Sequence, residues 1–307
     1  MKHFKTFEMI EAVVRAGSIR KAAEDMNITA SALNRRIQGF ESEFGYELFE
    51  RLPRGMRLNP AGELLMQHIR AQMSDLARVQ SQVADLSGLR RGHVSIACSQ
   101  ALLPYFLPEQ ISLYQAQHPG VTFSINVRDR QQAERDLTNF ESDLALVFEP
   151  VHMVDFEIIQ AVPQPVHAVF RADHPLSQAA ELRLRECMTF PCILPALEYG
   201  VRNLLEIGAK KIRRTLTPAL ETESFELIRH YVLHNDSVGF QIPIGLDGSR
   251  SEQAAHRPVA RRDMPMGRLY LGQKKGRMLP VASSRFAAQL YSAMEERYGS
   301  LEDDLRD

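Results

Sequence analysis

Ser31, Asn34, Arg35 and Gln38 are spaced so that, on a helix, they share one face. All four are capable of hydrogen bonding and none is needed for packing, which is the chemistry of reading base edges in a DNA major groove. Asn34 in particular can pair bidentately with adenine. Downstream, Arg51, Arg54 and Arg57 gather around Pro53 and Gly55, a placement suited to lying along backbone phosphates.

Local elements must hold these groups in place. Gly17 ends a first amphipathic helix with Phe4, Phe7, Ile10, Val13 and Val14 on its apolar face. Ser18 can cap a second helix that carries Ala22, Ala23 and Met26 and stops at Asn27. Thr29 or Ser31 starts a third, in which Leu33, Ile37, Phe40 and Phe44 recur as one buried stripe opposite the polar one. Leu48–Arg51 and Met56–Leu58 then read as two short strands joined by a Pro53–Gly55 turn, a wing beside the reading helix.

Composition agrees with a local rather than a global nucleic-acid surface. The chain has 307 residues, enough for two or three domains, with 44% hydrophobic and 24% charged residues. Its net charge of −1 excludes a polycation, so the footprint falls to Arg35, Arg36, Arg51, Arg54 and Arg57. The first residues carry Lys and Glu through the apolar positions and resemble no export signal. Three cysteines, an odd number, argue against a disulfide framework, and a cytoplasmic location is expected.

Asn59-Pro60 is a helix start, and Leu65, Ile69, Met73, Leu76, Val79, Val83 and Leu86 follow at steps of three and four. This seam of about seven turns, roughly 40 Å, wants a second copy of itself, which predicts a dimerisation helix ending at Ser87-Gly88. Beyond it, strands are predicted at His93–Ala97, Val121–Val127, Asp143–Phe148, Val166–Phe170, Cys192–Leu194, Ser237–Ile242 and Leu269–Leu271. Helical patterns separate them, which implies an α/β architecture with largely parallel sheets in two halves. The chain should cross between halves near Pro150–Pro163 and return near Met266. Asp247–Arg262 is patternless and reads as a surface loop, and the LEDDLRD tail as frayed.

With these residues in hand, the chain resembles the LysR-type transcriptional regulators over nearly all its length. The run GSIRKAAEDMNITASALNRRIQGFESEFGYELFER, followed by RLNPAG, is similar to that family's winged helix-turn-helix. DLALVFEP, DHPL, GVR and VGFQIP are partial matches further on. The resemblance implies a winged helix-turn-helix at 1–58, a linker helix at 59–88 and a two-lobed effector domain at 89–307, similar to periplasmic binding proteins. Lobe I would comprise 92–161 and 268–307, and lobe II 162–267. The implied partners are operator DNA, a small-molecule effector between the lobes and further copies of the chain, as dimer or tetramer. Thr29, Ala30, Asn34 and Arg35 match the family's groove-contacting positions, and Arg51, Arg54 and Arg57 its wing. Thr29-Ala30 stands where the family often has Gln or Ser followed by Pro, and Asn34 where it often has Ser, so the operator preference is expected to differ.

For the effector, Cys98-Ser99-Gln100 lies between the first sensor strand and a helix start, where free N–H groups suit a carboxylate or phosphate. Ser99 can equally be a simple cap. Tyr199 and Arg202 flank a second strand-to-helix turn and Ser224 a third; Arg202 either binds an acid or pairs with a surface glutamate. Phe240 and Gln241 either line the pocket or belong to the core. Together these residues lean toward an anionic effector. Cys187 and Cys192 offer a rival redox sensor, against which stands the usual role of free cysteine as a small buried hydrophobe. No metal, cofactor or catalytic constellation is expected: the histidines are dispersed, and no nucleophile motif or phosphate-cradling loop occurs. A two-lobed enzyme or solute-binding protein is the alternative, but neither needs the helix-turn-helix.

Overall fold

Gly17 and Asn27 adopt positive φ, +64° and +55°, and so break the N-terminal chain into short helices. The computed structural model describes residues 2–52, 55–86, 91–246 and 253–299. Helix α1 (Lys2–Ala16) ends at Gly17, α2 (Ile19–Asp25) just before Asn27, and α3 (Ala30–Phe44) at Gly45, whose φ is +85°. Strands β1 (Phe49–Leu52) and β2 (Gly55–Leu58) form an antiparallel hairpin, and α4 (Pro60–Leu86) follows. Ile10, Val13, Ala22, Ala23, Leu33, Ile37 and Leu48 make the core under these elements. Phe44 is not part of the buried stripe: it stays 43% exposed at the end of α3. Ser18 occupies the cap position of α2 but makes no capping bond, whereas Thr29 caps α3 by accepting from the Ala32 N–H at 3.2 Å.

Asn59 starts α4 by accepting from the Gly62 N–H at 2.8 Å. Glycine is required at position 62, because a Cβ there would run into the carbonyl of Leu48. The apolar seam of α4 divides. Met66 and Ile69 are buried in the N-terminal core with Leu65 and Met73 packed on it, while Val79, Val83 and Leu86 stay exposed. The chain accordingly forms two compact units, 1–79 and 80–307. Ser87-Gly88 and the LEDDLRD tail lie outside the described residues.

After the end of α4, the second unit continues with β3 (Arg91–Cys98), α5 (Phe106–Gln117), β4 (Gly120–Val127), α6 (Arg130–Thr138), β5 (Leu144–Phe148) and β6 (Phe156–Pro163). The chain then crosses into a second lobe made of β7 (His167–Arg171), α7 (Leu184–Cys187), β8 (Cys192–Pro195), α8 (Gly200–Lys211), β9 (Pro218–Thr222), α9 (Phe225–His234), β10 (Val238–Gln241) and β11 (Ala254–Pro258). It returns through β12 (Arg268–Lys274) and α10 (Val281–Tyr298). Lobe I has the sheet order β4-β3-β5-β12-β6 and lobe II β11-β7-β10-β8-β9.

The sheets are mixed, not largely parallel. β3 runs parallel to β4 and β5, and β8 to β9 and β10, but β12 and β7 run antiparallel to both their neighbours. These two antiparallel strands are the ones that follow the crossings between the lobes, β7 after the first and β12 after the second. Strands β6, β9 and β11 occupy stretches in which no strand is legible, and β11 falls within the segment read as a loop. All three are edge strands. An edge strand is half exposed and need not carry the apolar alternation that betrays a central one. Among the described residues, no helix is long and apolar enough to cross a membrane.

Candidate nucleic-acid interface and effector cleft

On α3, Leu33 and Ile37 are fully buried, and this orients the rest of the helix. Ser31, Arg35 and Gln38 are exposed and Asn34 is partly so, which leaves the polar stripe open. Thr29 spends its acceptor on the cap and lies 3.3 Å from the Ser31 hydroxyl; Ala30 opens the first turn. Arg36 points back, donating from Nε to Thr6 Oγ1 at 3.1 Å and tying α3 to α1. The wing is fixed from below, since the Met56 N–H donates to the carbonyl of Gly17 at 2.8 Å. Within it, Arg57 faces Glu50 across the ladder and donates to its carboxylate, so this arginine is already paired. Arg54 and the side chain of Arg51 lie outside the described residues.

In the second unit a cleft opens between the lobes. Its inner part is narrow and is walled by Ser99, Ala101, Leu146 and Phe148 from lobe I and by Tyr199, Val201 and Phe225 from lobe II. A mouth of about 620 Å³, partly open to solvent, shares Arg128, Asp129 and Tyr199 with it and adds Gln100, Gln132, Glu198 and Glu223. Gln100 lines the mouth, and its Oε1 accepts from the Phe225 N–H of lobe II at 3.4 Å. Tyr199 and Phe225 meet edge to face at 5.4 Å. Burial raises the Tyr199 phenol pKa, and the carboxylates of Glu223, Asp129 and Glu198 raise it further.

Several expected cleft residues are occupied elsewhere. Cys98 is fully buried in the core, which pushes its thiol up to about 12. Arg202 leaves the set as well: it donates to Glu206 at 2.8 Å, to Glu221 at 2.6 Å and to the Pro195 carbonyl at 3.2 Å. Ser99 caps the Gln100–Leu102 turn, accepting from the Ala101 N–H at 3.4 Å, and still faces the cleft. Ser224 caps α9, accepting from the Leu227 N–H at 3.2 Å, and its neighbours Glu223 and Phe225 supply the walls. Phe240 and Gln241 line a separate recess. Cys187 and Cys192 are buried, and the Cys192 thiol is raised by burial to about 11; Cys187 is pushed higher still. Neither has the lowered pKa that a redox sensor needs.

The run Arg128-Asp129-Arg130 also lines the cleft, beyond the residues expected from the sequence. A signal for it exists in the sequence, since it follows the end of a predicted strand and opens a predicted helix, as Ser99 does. Asp129 caps α6 by accepting from the Gln132 N–H at 2.8 Å. Arg128 donates to Asp136 at 2.8 Å, which spends its charge. Three carboxylates, Asp129, Glu198 and Glu223, line the mouth beside Arg128, and Arg130 joins Arg128 and Asp129 in the inner part. Among the described residues, no group of three His, Cys, Asp or Glu could hold a metal ion.

Two family models cover this architecture. Residues 4–63 match the "Bacterial regulatory helix-turn-helix protein, lysR family", and residues 87–295 match the "LysR substrate binding domain". The chain belongs to the LysR family. It is a LysR-family transcriptional regulator with an effector-binding domain. Among curated relatives, the transcriptional activator CmpR of Synechocystis is 27% identical over 74% of either chain. The regulator CbbR of Sinorhizobium medicae is 29% identical over 75% of this chain and 74% of its own. Solved LysR-family structures share the fold. A full-length OxyR variant from Pseudomonas aeruginosa superposes with a TM-score of 0.69 at 18% identity, covering 95% of this chain and 94% of its own. CbnR complexed with its target DNA gives 0.63 at 15% identity, covering 94% and 99%. Like these relatives, this LysR-family chain is a regulator and not an enzyme.

Proposed function

We propose that this regulator reads operator DNA in the cytoplasm through the α3 stripe, with Asn34 and its neighbours Thr29, Ala30, Ser31 and Gln38 setting sequence preference. Arg35 and the wing arginines Arg51 and Arg54 supply phosphate affinity. The observation that carries this reading is the division of α3 into a buried Leu33–Ile37 face and an open Ser31–Arg35–Gln38 face. The exposed Val79, Val83 and Leu86 of α4 are the surface through which copies associate.

The effector occupies the inter-lobe cleft. Its apolar part rests on Phe148, Val201 and Phe225, and its hydrogen-bonding groups meet Ser99, Gln100 and Tyr199. With Asp129, Glu198 and Glu223 at the mouth, a neutral or cationic polar molecule fits this field better than an anion. Its action is linkage, for a ligand that binds one arrangement of the lobes better shifts the equilibrium toward it.

The experiment is fluorescence anisotropy on a duplex selected from random sequence. Arg35→Ala is expected to weaken binding and to lower the salt slope by about one charge. Asn34→Ala should instead flatten discrimination between bases at one position, by about 1–3 kcal/mol. Unchanged affinity, slope and preference in both variants would refute the reading.

A further inference from the structure

Gly39 stands exposed in the middle of α3, and nothing in the fold requires a glycine there. Its φ is not positive, and a Cβ added to it meets no atom within 4 Å. Glycine is a poor helix residue because it loses the most backbone freedom on folding, so alanine at this position would favour α3. A glycine that runs against helix propensity, with open space above it, leaves room for a group that comes close to the helix backbone.

The space above it is a groove between α1 and α3, with about 360 Å³ open to water. His3 and Thr6 line it from α1, and Arg35, Arg36, Phe40 and Glu43 line it from α3, with Gly39 as the gap in that wall. Arg35 belongs to the reading stripe, and Gly39 follows it by one turn on the same side of the helix. Arg36 is held beside them, since its Nε donates to Thr6 Oγ1 at 3.1 Å. Glu43 stands a further turn along and repels an anion at that end, which confines one to the stretch from Arg35 to Gly39. A helix lying in a major groove is bordered by phosphates on both sides. Two guanidinium groups around a bare stretch of helix suit one of those strands: the cations hold a phosphate, and the missing side chain lets the strand approach.

We propose that the sugar–phosphate backbone of the operator seats in this α1–α3 groove, with Gly39 at the point of closest approach and Arg35 and Arg36 on the phosphate. The proposal rests on α3 being the reading helix, and it adds a positioning residue to it. Gly39 carries no base information and sets how deeply α3 enters the major groove.

The test compares Gly39→Ala and Gly39→Leu with the unaltered full-length protein, by thermal unfolding and by fluorescence anisotropy on the selected duplex. Gly39→Ala is expected to melt at the same temperature or a few degrees higher, yet to bind DNA about threefold to tenfold more weakly. Gly39→Leu should bind about thirtyfold more weakly or worse, with a salt slope lower by about one phosphate. A glycine needed only for folding would give the reverse, a lower melting temperature in the alanine variant. A second measurement replaces single phosphates of the duplex by neutral methylphosphonates. At one position the replacement should weaken binding of the unaltered protein and leave Gly39→Leu unaffected. Parent-like affinity in both glycine variants, a lower melting temperature for Gly39→Ala, or the lack of any such phosphate would each overturn the proposal. Arg35→Ala and Asn34→Ala separate it from the reading beneath it. If they change DNA binding while the glycine variants do not, the groove proposal falls and the reading face stands; if none of the four has an effect, both fall.

Discussion

Arg130 of lobe I donates from Nε to the carbonyl of Glu198 in lobe II at 3.0 Å, and from Nη1 to the carbonyl of Glu149 at 2.8 Å. One guanidinium therefore spans the cleft and holds the lobes in register. Burial lowers the Arg130 pKa, and the carboxylates of Glu149, Glu134 and Asp129 oppose that shift and keep the group charged. Arg130→Ala should destabilise the effector domain by about 1–2 kcal/mol, discounted for its partial exposure. Urea unfolding of the variant beside the unaltered protein measures this, and coincident curves would mean the bridge contributes nothing.

The Glu50–Arg57 pair on the hairpin makes a directional prediction for DNA binding. A wing arginine already paired to a carboxylate has less charge to offer phosphate. Glu50→Gln should therefore strengthen DNA binding and steepen its salt dependence. Arg57→Ala should cost less than Arg35→Ala. Salt titrations of the three variants on one duplex decide it, and a Glu50→Gln variant no tighter than the parent would contradict this account of the wing.

His167 sets a pH dependence. Its Nδ1 lies 2.9 Å from Nδ1 of His256, and burial lowers its pKa from 6.5 to about 3, with His256 and Arg257 adding repulsion. The unfolded chain takes up a proton below 6.5 that the folded one refuses until about 3. Unfolding thus gains protons in that window, and stability is full above it and falls as pH drops through it. His167→Gln should flatten the stability–pH curve between these two values. An unchanged slope would assign the acid sensitivity to other groups.

All three thiols are buried, and burial raises each of them, Cys98 to about 12 and Cys192 to about 11. Since the thiolate is the reactive species, the native protein should resist alkylation and peroxide at neutral pH. Three thiols should titrate only after denaturation. Rapid labelling of Cys187 or Cys192 in the native state would reinstate a redox role.

Much of this molecule is legible in its sequence. Gly17, Asn27, Thr29 and Asn59 act locally, through backbone angles and caps, so the helix boundaries they set could be read from a few neighbouring residues. The central strands β3, β5, β8 and β10 are buried and apolar enough to be read in the same way. The edge strands β6, β9 and β11 were not legible, because their pairing rests on a neighbour's backbone and leaves little mark on their own side chains.

The sequence by itself determined the family, through the resemblance of its motifs, and the caps, helices and central strands. The elements among these depend on residue types and spacing along the chain. Tertiary structure alone decided which polar groups are still available. Arg202 is consumed by Glu206 and Glu221, Arg128 by Asp136 and Arg57 by Glu50. The charge of the cleft mouth likewise comes from Asp129, Glu198 and Glu223, brought together from distant stretches of chain. The physical reason is that a charge or a hydrogen bond is satisfied by whatever lies nearest in space, and nearness in space is set only when the two lobes have folded.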